Sequence, residues 1–311
     1  MEKLFTPFRL KRIELKNRIV MPGLASFLTT SDGDITDKAI EHYRLRGVGG
    51  AAMVIVEACA VSPEGVVPRP QTRIHDDGYV EGLAKVAQVL KAEGCIPAVQ
   101  IHHSGRQTSP KVIKRKPLAP SPLPCPTIRA EVEPLRIAGI KALVQKFGDA
   151  AERCVQAGFE LIEIHGAHGY LVNQFLSRFS NIRTDRYGGD IEGRSRFAVE
   201  ITQEIRRRVG TDLPLSFKIS AQEFMTDGLT VKESIEILKV LIQAGVDTVQ
   251  ISAGCDATAE WICQPIFMPK ACLADSAAQI KKSINVPVMA VGRINDPFIA
   301  DKVIAGGQAD L

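Results

Sequence analysis

Short runs of apolar, often β-branched residues alternate with longer amphipathic stretches along the whole chain. Seven almost continuously apolar runs predict strands buried on both faces: Arg18–Met21, Ala52–Glu57, Ile96–Ile101, Leu161–His165, Leu215–Ile219, Thr248–Ser252 and Val288–Val291. Five stretches have the three-to-four-residue apolar spacing of helices: Gly82–Ala92, Ile140–Ala157, Arg194–Val209, Val231–Ala244 and Ala277–Ser283. Strands that alternate with helices in this way predict an α/β fold with a parallel sheet.

Two architectures fit this alternation, a (β/α)8 TIM barrel and an open, doubly wound sheet. No GxGxxG fingerprint follows the first predicted strand, which disfavours the dinucleotide-binding open sheet. We therefore expect a single TIM-barrel domain over residues 1–311. The proline-rich segment 111–134 follows the third predicted strand and is expected to form an extended loop at the rim of the barrel.

Composition and charge narrow the classes of function. The chain is 45% hydrophobic and 24% charged, as globular proteins are, and its net charge is only +4. A surplus this small argues against nucleic acid as a partner, and no apolar run has the length of a membrane span. Scattered cysteines without a CxxC pair and the lack of a signal-like start predict a reduced, cytoplasmic protein. We expect a small-molecule substrate as partner and leave a homo-oligomer open.

Polar residues gather where the predicted strands end. In a parallel barrel these ends share one face, and that face carries the active site. Four of the six histidines lie there: His102, His103, His165 and His168. A metal site is disfavoured, because His102 and His103 point to opposite sides of a strand and no third ligand follows at zinc spacing. The glycines at several strand ends favour a flat organic cofactor that backbone groups hold.

Several segments resemble the old yellow enzyme family of FMN-dependent NAD(P)H oxidoreductases. The segments LFTPFRLKRIELKNRIVMP, IVEACAVSPEG and VQIHHSGRQ are similar to the first three strand regions of that family. The most specific matches are HGAHGYL and NIRTDRYGG, and the resemblance covers effectively the full chain. It implies a TIM barrel with bound FMN, NAD(P)H as the reductant, and ene-reductase-type reduction of an activated C=C bond.

The resemblance also implies a set of cofactor-binding residues, all near strand ends: Pro22, Gly23, Leu24, Ala58, Gln100, Lys218, Gly292 and Arg293. Gln100 is expected at the pyrimidine edge of the flavin, because an amide both donates and accepts hydrogen bonds. Lys218 stands where the family usually has arginine, and its charge is expected to stabilise the reduced flavin. Gly292 and Arg293 are expected at the phosphate.

The resemblance places the reaction on three residues after the fourth strand. His165 and His168 are expected to donate hydrogen bonds to the oxygen of the substrate, where negative charge develops. Tyr170 matches the usual proton donor to the α carbon. Gly166 and Gly169 predict a turn that brings these side chains to one pocket. Arg106 has no assigned role at this stage.

Two further interpretations stay open. As a runner-up, the chain resembles the amino-terminal barrel of multidomain iron–sulfur flavoenzymes such as 2,4-dienoyl-CoA reductase, bile-acid oxidoreductases and trimethylamine dehydrogenase, and the segments LKNRIVMP and HGAHGYL do not separate the two interpretations. An iron–sulfur cluster is then expected only in a longer chain. A catalytically silent FMN-binding barrel is the other alternative. Because residue 311 falls where the eighth strand should begin, we expect a truncated eighth strand–helix unit and weak FMN binding by a chain ending at Leu311.

Overall fold

Strands and helices alternate along residues 2–311, the part of the chain that the computed structural model describes. The strands are β1 (Phe8–Leu10), β2 (Ile13–Leu15), β3 (Val20–Met21), β4 (Met53–Ala60), β5 (Ile96–His102), β6 (Leu118–Ala119), β7 (Glu133–Pro134), β8 (Leu161–Gly166), β9 (Leu215–Ser220), β10 (Thr248–Ser252) and β11 (Val288–Ala290). The helices are α1 (Asp37–Val48), α2 (Val80–Ala92), α3 (Pro110–Ile113), α4 (Ile137–Gln156), α5 (Leu171–Leu176), α6 (Ile191–Val209), α7 (Val231–Ala244), α8 (Ala259–Ile262), α9 (Ala274–Lys281) and α10 (Pro297–Ala305).

Seven strands form one sheet in the order β3-β4-β5-β8-β9-β10-β11, and every neighbouring pair is parallel. At the far edge, the amides of Asp310 and Leu311 donate to Val288 O, and Ala290 N donates to Leu311 O. Arg18 Nη1, just before β3, donates to Asp310 O. The last residues therefore lie between the two outer strands, and the sheet forms a nearly closed barrel. The predicted barrel is confirmed, with seven strands in its sheet.

All seven predicted barrel strands and all five predicted helices are present, with ends shifted by a few residues. The first strand is shorter than predicted, Val20–Met21, and the second extends to Ala60. Helix α1 is not among the five apolar stretches, because only Ala39, Tyr43 and Gly47 are buried in its twelve residues. No helix within residues 2–311 is both long and apolar enough to cross a membrane.

The hairpin of β1 and β2 closes the amino-terminal end of the barrel. Its apolar side chains Leu10, Ile13 and Leu15 pack with Met53 and Leu161 from the bottom of the barrel interior. A larger cluster lies between the sheet and the helices around it. Since the bottom of the barrel is filled with apolar side chains, the carboxyl ends of the strands form the end that is open to a ligand.

The proline-rich segment 111–134 forms the expected loop over the rim, and within it Leu118–Ala119 pairs with Glu133–Pro134. Arg183 holds the two paired stretches, since its Nη1 donates to Pro120 O and Leu135 O at 2.6 and 2.7 Å. The same guanidinium forms a two-point ion pair with Asp185. The RTDRYGG segment therefore anchors the rim loop.

Candidate active site

A layer of polar side chains lies directly above the apolar bottom of the barrel. Gln100, Glu163 and Ser216 are register partners on three adjacent strands, and all three are buried. Gln100 Nε2 donates to Glu163 Oε1 at 2.8 Å, and Ser216 Oγ donates to Glu163 Oε2 at 2.9 Å. Burial raises the pKa of Glu163, while the positive charge of Lys218 opposes that shift.

Lys218 belongs to the next layer, two residues further along β9 and on the same inward face. Its side chain is buried, and within residues 2–311 no carboxylate lies at ion-pair distance from its ammonium. Burial lowers the pKa of Lys218, and the charge of Glu163 opposes this effect. A buried cation without a partner is costly, so this position calls for an electron-rich group from a ligand.

Three imidazoles and one phenol form a cluster at the carboxyl ends of β5 and β8. The ring of His102 lies 4.4 Å from that of Tyr170 and 5.4 Å from that of His165, as measured between centroids. The rings of His165 and Tyr170 are 5.0 Å apart, as are those of His165 and His168. The structure therefore brings His165, His168 and Tyr170 together and adds His102.

The cluster is electrically neutral near physiological pH. Burial lowers the pKa of His102 to about 3 and the pKa values of His165 and His168 well below their ordinary range, with help from neighbouring positive groups. Burial also raises the pKa of Tyr170. The cluster thus offers hydrogen-bond donors and a protonated phenol in a site of low polarity.

A left-handed turn after β8 brings these side chains together. His168 has φ 65° and Gly169 has φ 72°. A Cβ at Gly169 would lie 2.7 Å from Asp256 N, so only glycine fits there. Tyr170 follows as the N-cap residue of α5. The predicted turn is present, although Gly166 itself still belongs to the strand, where its Cβ would clash with the ring of Phe217.

Hydrogen bonds indicate which imidazole nitrogens are free for a ligand. His165 Nδ1 accepts from Ala167 N at 3.3 Å, which leaves Nε2–H as a donor. His168 Nε2 bonds to Ser252 Oγ at 2.7 Å. Both ring nitrogens of His102 are buried without a partner among the described residues. Buried polar atoms rarely stay unpaired, so His102 is a further candidate for contact with a ligand.

Sequence reasoning considered His102 only as a metal ligand and did not assign it to the site. The signal was present, because His102 follows Gln100 by two residues on β5 and therefore shares its inward face. His103 points the other way, as predicted: its ring packs over Gly65, where a Cβ would lie 2.8 Å away.

Two of the openings among the described residues contain residues of the predicted site. A cavity of about 280 Å³ is bounded by Ala25, Ala58, His102 and Tyr170 together with the loop that carries Arg69. A cleft of about 360 Å³ lies between the outer strands. Ala58 and Tyr170 line the same cavity. The predicted cofactor residues that follow the two outer strands line the cleft instead.

The cleft contains Pro22, Gly292 and Arg293. Gly292 has φ 104°, and a Cβ there would lie 2.9 Å from Leu273 Cγ, so this position requires glycine. The guanidinium of Arg293 forms no ion pair within residues 2–311. Of the other predicted residues, Gly23 lies against Gln100, while Leu24 is 64% exposed at the rim.

The comparisons with known proteins assign the family. Residues 3–311 match the model of the NADH:flavin oxidoreductase / NADH oxidase family. The chain belongs to this family. It is 40% identical to an NADH oxidase of Thermoanaerobacter brockii over 99% of the chain and 48% of that relative. It is 35% identical to an NADPH dehydrogenase of Clostridium acetobutylicum over 99% of the chain and 89% of that relative.

Similar solved structures have the same barrel. A 2-naphthoyl-CoA reductase in complex with 2-naphthoyl-CoA aligns with a TM-score of 0.93 and 28% identity, over 100% of the chain and 49% of that protein. An old yellow enzyme homologue from Zymomonas mobilis aligns with a TM-score of 0.84 and 25% identity, over 99% of the chain and 87% of that protein. The chain spans about half the length of the first relative and the first structure.

These matches confirm the family resemblance and the TIM barrel predicted from the sequence. They also confirm the predicted cofactor system, which is FMN with NAD(P)H as reductant. The described residues also fit a flavin. The unpaired ammonium of Lys218 suits the electron-rich pyrimidine edge, and Gln100 Oε1 has no hydrogen-bond partner within residues 2–311. The unpaired guanidinium of Arg293, beside the backbone at Gly292, suits a phosphate.

Proposed function

We propose that the protein is an ene-reductase, which uses NAD(P)H to reduce the activated C=C bond of an α,β-unsaturated carbonyl compound. One observation carries this proposal: neutral imidazoles and a protonated phenol meet beside a cavity, and a buried cation that is unpaired among the described residues lies in the same layer of the barrel, opposite His165. When bound, FMN would supply the hydride chemistry that links NAD(P)H to the β carbon of the substrate.

We assign the binding of FMN to the eight residues predicted from the sequence. Gln100 and Lys218 hold the pyrimidine edge of the ring from inside the barrel. Gly292 and Arg293 hold the phosphate in the cleft between the outer strands. The backbone at Pro22, Gly23, Leu24 and Ala58 flanks the ring.

His165 and His168 bind the carbonyl oxygen of the substrate. His165 donates through Nε2–H, because its Nδ1 already accepts from Ala167 N. His168 donates through Nδ1–H when the hydroxyl of Ser252 donates to its Nε2. Fixed donors of this kind stabilise the negative charge that develops on the oxygen, and they are most effective in a site that excludes water.

Tyr170 gives its phenolic proton to the α carbon of the substrate. It is in its neutral form at physiological pH, since burial raises its pKa. The edge contact with His102, at 4.4 Å between ring centroids, holds the phenol beside the cavity. Ala25 and Ala58 line the same cavity.

The test begins with the FMN-loaded, 311-residue protein under anaerobic conditions. We expect NADH or NADPH to bleach the visible flavin absorbance and an enone such as 2-cyclohexenone to restore it with formation of the saturated ketone. Absence of bleaching with both nucleotides would contradict the reductive half of the proposal. Bleaching that no enone, quinone or acyl-CoA thioester reverses would support a catalytically silent flavin-binding barrel.

A second candidate function is the reduction of an unsaturated or aromatic acyl-CoA thioester. It is favoured by the likeness to 2-naphthoyl-CoA reductase and by the half-length match to that protein and to the NADH oxidase. A thioester carbonyl presents the same acceptor oxygen to His165 and His168. Turnover of an enoyl-CoA or naphthoyl-CoA with no turnover of the free enones would favour this second function.

A further inference from the structure

Glu163 is a buried acid in the middle of the barrel to which the proposed reaction gives no role. It is fully buried on β8, two residues before His165 and therefore on the same inward face. The layer immediately below it is apolar and includes Ala98 and Leu161. A buried carboxyl group is costly unless its neighbours satisfy it, so interior filling alone does not explain a glutamate here.

The carboxylate of Glu163 determines which way the amide of Gln100 is oriented. Gln100 Nε2 donates to Glu163 Oε1 at 2.8 Å, so the group of Gln100 that faces Glu163 is its NH₂. The amide oxygen therefore points away from Glu163, and it has no partner within residues 2–311. Ser216 Oγ donates to the second oxygen of Glu163, Oε2, at 2.9 Å.

Two residues beside the Glu163–Gln100 pair belong to the proposed flavin site. Gly23, at the end of the first barrel strand, lies against the amide: a Cβ there would be 3.3 Å from Gln100 Nε2. Lys218 lies two residues beyond Ser216 on the same face of β9, and Glu163 is the acid whose charge acts on it. Glu163 therefore interacts with both of the polar side chains assigned to the pyrimidine edge.

We propose that Glu163 is a positioning residue for the cofactor: it fixes the Gln100 amide so that its oxygen, and not its NH₂, is presented to the flavin. The pyrimidine edge of a flavin has one donor, N3–H, between two carbonyl acceptors. A glutamine free to rotate would bind either kind of group, whereas a glutamine fixed by Glu163 accepts from N3–H. This inference rests on the proposed placement of Gln100 at the flavin.

The test compares the binding of FMN and of 3-methyl-FMN, in which a methyl group replaces the N3 hydrogen, to the apo form of the full 311-residue chain. We expect the wild-type protein to prefer FMN by about tenfold or more, which corresponds to about 1.4 kcal/mol. In Glu163→Gln the new amide can also donate to Gln100 Oε1, so the orientation is no longer fixed. FMN should then bind about tenfold more weakly, 3-methyl-FMN should change little, and the preference should fall below about threefold.

Ser216→Ala is the matched control, because it removes a hydrogen bond to the same carboxylate and leaves the Gln100 contact in place. We expect it to retain the preference for FMN. If Glu163→Gln weakens both flavins equally, Glu163 has only a structural role and the proposal is overturned. Equal binding of the two flavins by the wild-type protein also overturns it, without any variant. A chain that binds neither flavin overturns the proposed function as well.

Discussion

The guanidinium of Arg106 and the carboxylate of Asp256 form a two-point ion pair in the interior, with N–O distances of 2.8 and 3.1 Å. The two side chains are 2% and 0% exposed. They join the loop after β5 to the loop after β10, and the backbone of Asp256 lies against Gly169. This pair therefore supports the turn that carries His168 and Tyr170.

Removal of Arg106 is expected to destabilise the protein strongly. In Arg106→Met the carboxylate of Asp256 stays buried without its partner, and loss of one member of a buried pair costs about 3–5 kcal/mol. The measurement is the free energy of unfolding in urea. Lys85→Met is the matched control: Lys85 also forms an ion pair, with Glu81 on α2, but both side chains are exposed. If the two variants unfold at the same urea concentration, the pair between Arg106 and Asp256 has no special structural importance.

Local patterns in the sequence were sufficient to predict most of the barrel. The strand Thr248–Ser252 and the helix Val231–Ala244 were predicted with their observed ends, the first from a short run bounded by turns and the second from its three-to-four-residue apolar spacing. Helix α1 buries too few residues to give a clear pattern. The β1–β2 hairpin closes the barrel through contacts with distant strands, and no local spacing encodes those contacts.

The sequence predicted those residues of the candidate site that belong to a motif or follow the end of a strand. His165, His168 and Tyr170 are close in sequence, and the structure brings them together. The pairing of Arg106 with Asp256 joins residues 150 positions apart, so spacing could not predict it. Glu163 was not predicted as a site residue, because its strand was interpreted only as apolar. The alternation of faces in Leu161–Gly166 nevertheless places Glu163 on the same face as His165.

The buried imidazoles make the stability of the protein dependent on pH. The pKa of His102 falls from its ordinary value of 6.5 to about 3, so below pH 6.5 the unfolded chain binds a proton that the folded protein does not. This stabilising contribution is present above pH 6.5 and is lost as the pH falls from 6.5 towards 3. At pH 5 one such histidine costs about 2 kcal/mol. Thermal unfolding of the wild type and of His102→Gln at pH 7 and pH 5 measures the effect. We expect the wild type to lose more stability than the variant, and parallel losses would contradict this assignment.

Lys218 is expected to set the reduction potential of the bound flavin. Lys218→Met removes the buried positive charge that we place at the pyrimidine edge, so the oxidised form should be favoured and the potential should become more negative. A loss of about 1.4 kcal/mol lowers a two-electron potential by about 30 mV. Lys218→Arg keeps the charge and is the control. The measurement is a redox titration against a dye of known potential, and equal potentials in all three proteins would place Lys218 away from the ring.

Tyr170→Phe is expected to separate the two half-reactions. The phenyl ring keeps the edge contacts with His102 and His165, at 4.4 and 5.0 Å between centroids, but it has no proton to donate. Flavin reduction by NAD(P)H should therefore be unchanged, while reduction of an enone should slow about 100- to 10,000-fold, the usual contribution of a general acid. Stopped-flow measurement of each half-reaction distinguishes the two effects. Tyr79→Phe is the matched control, since the hydroxyl of Tyr79 donates to Asp32 O in an exposed loop. If Tyr170→Phe slows both half-reactions equally, the phenol is needed for the shape of the site, and another group supplies the proton.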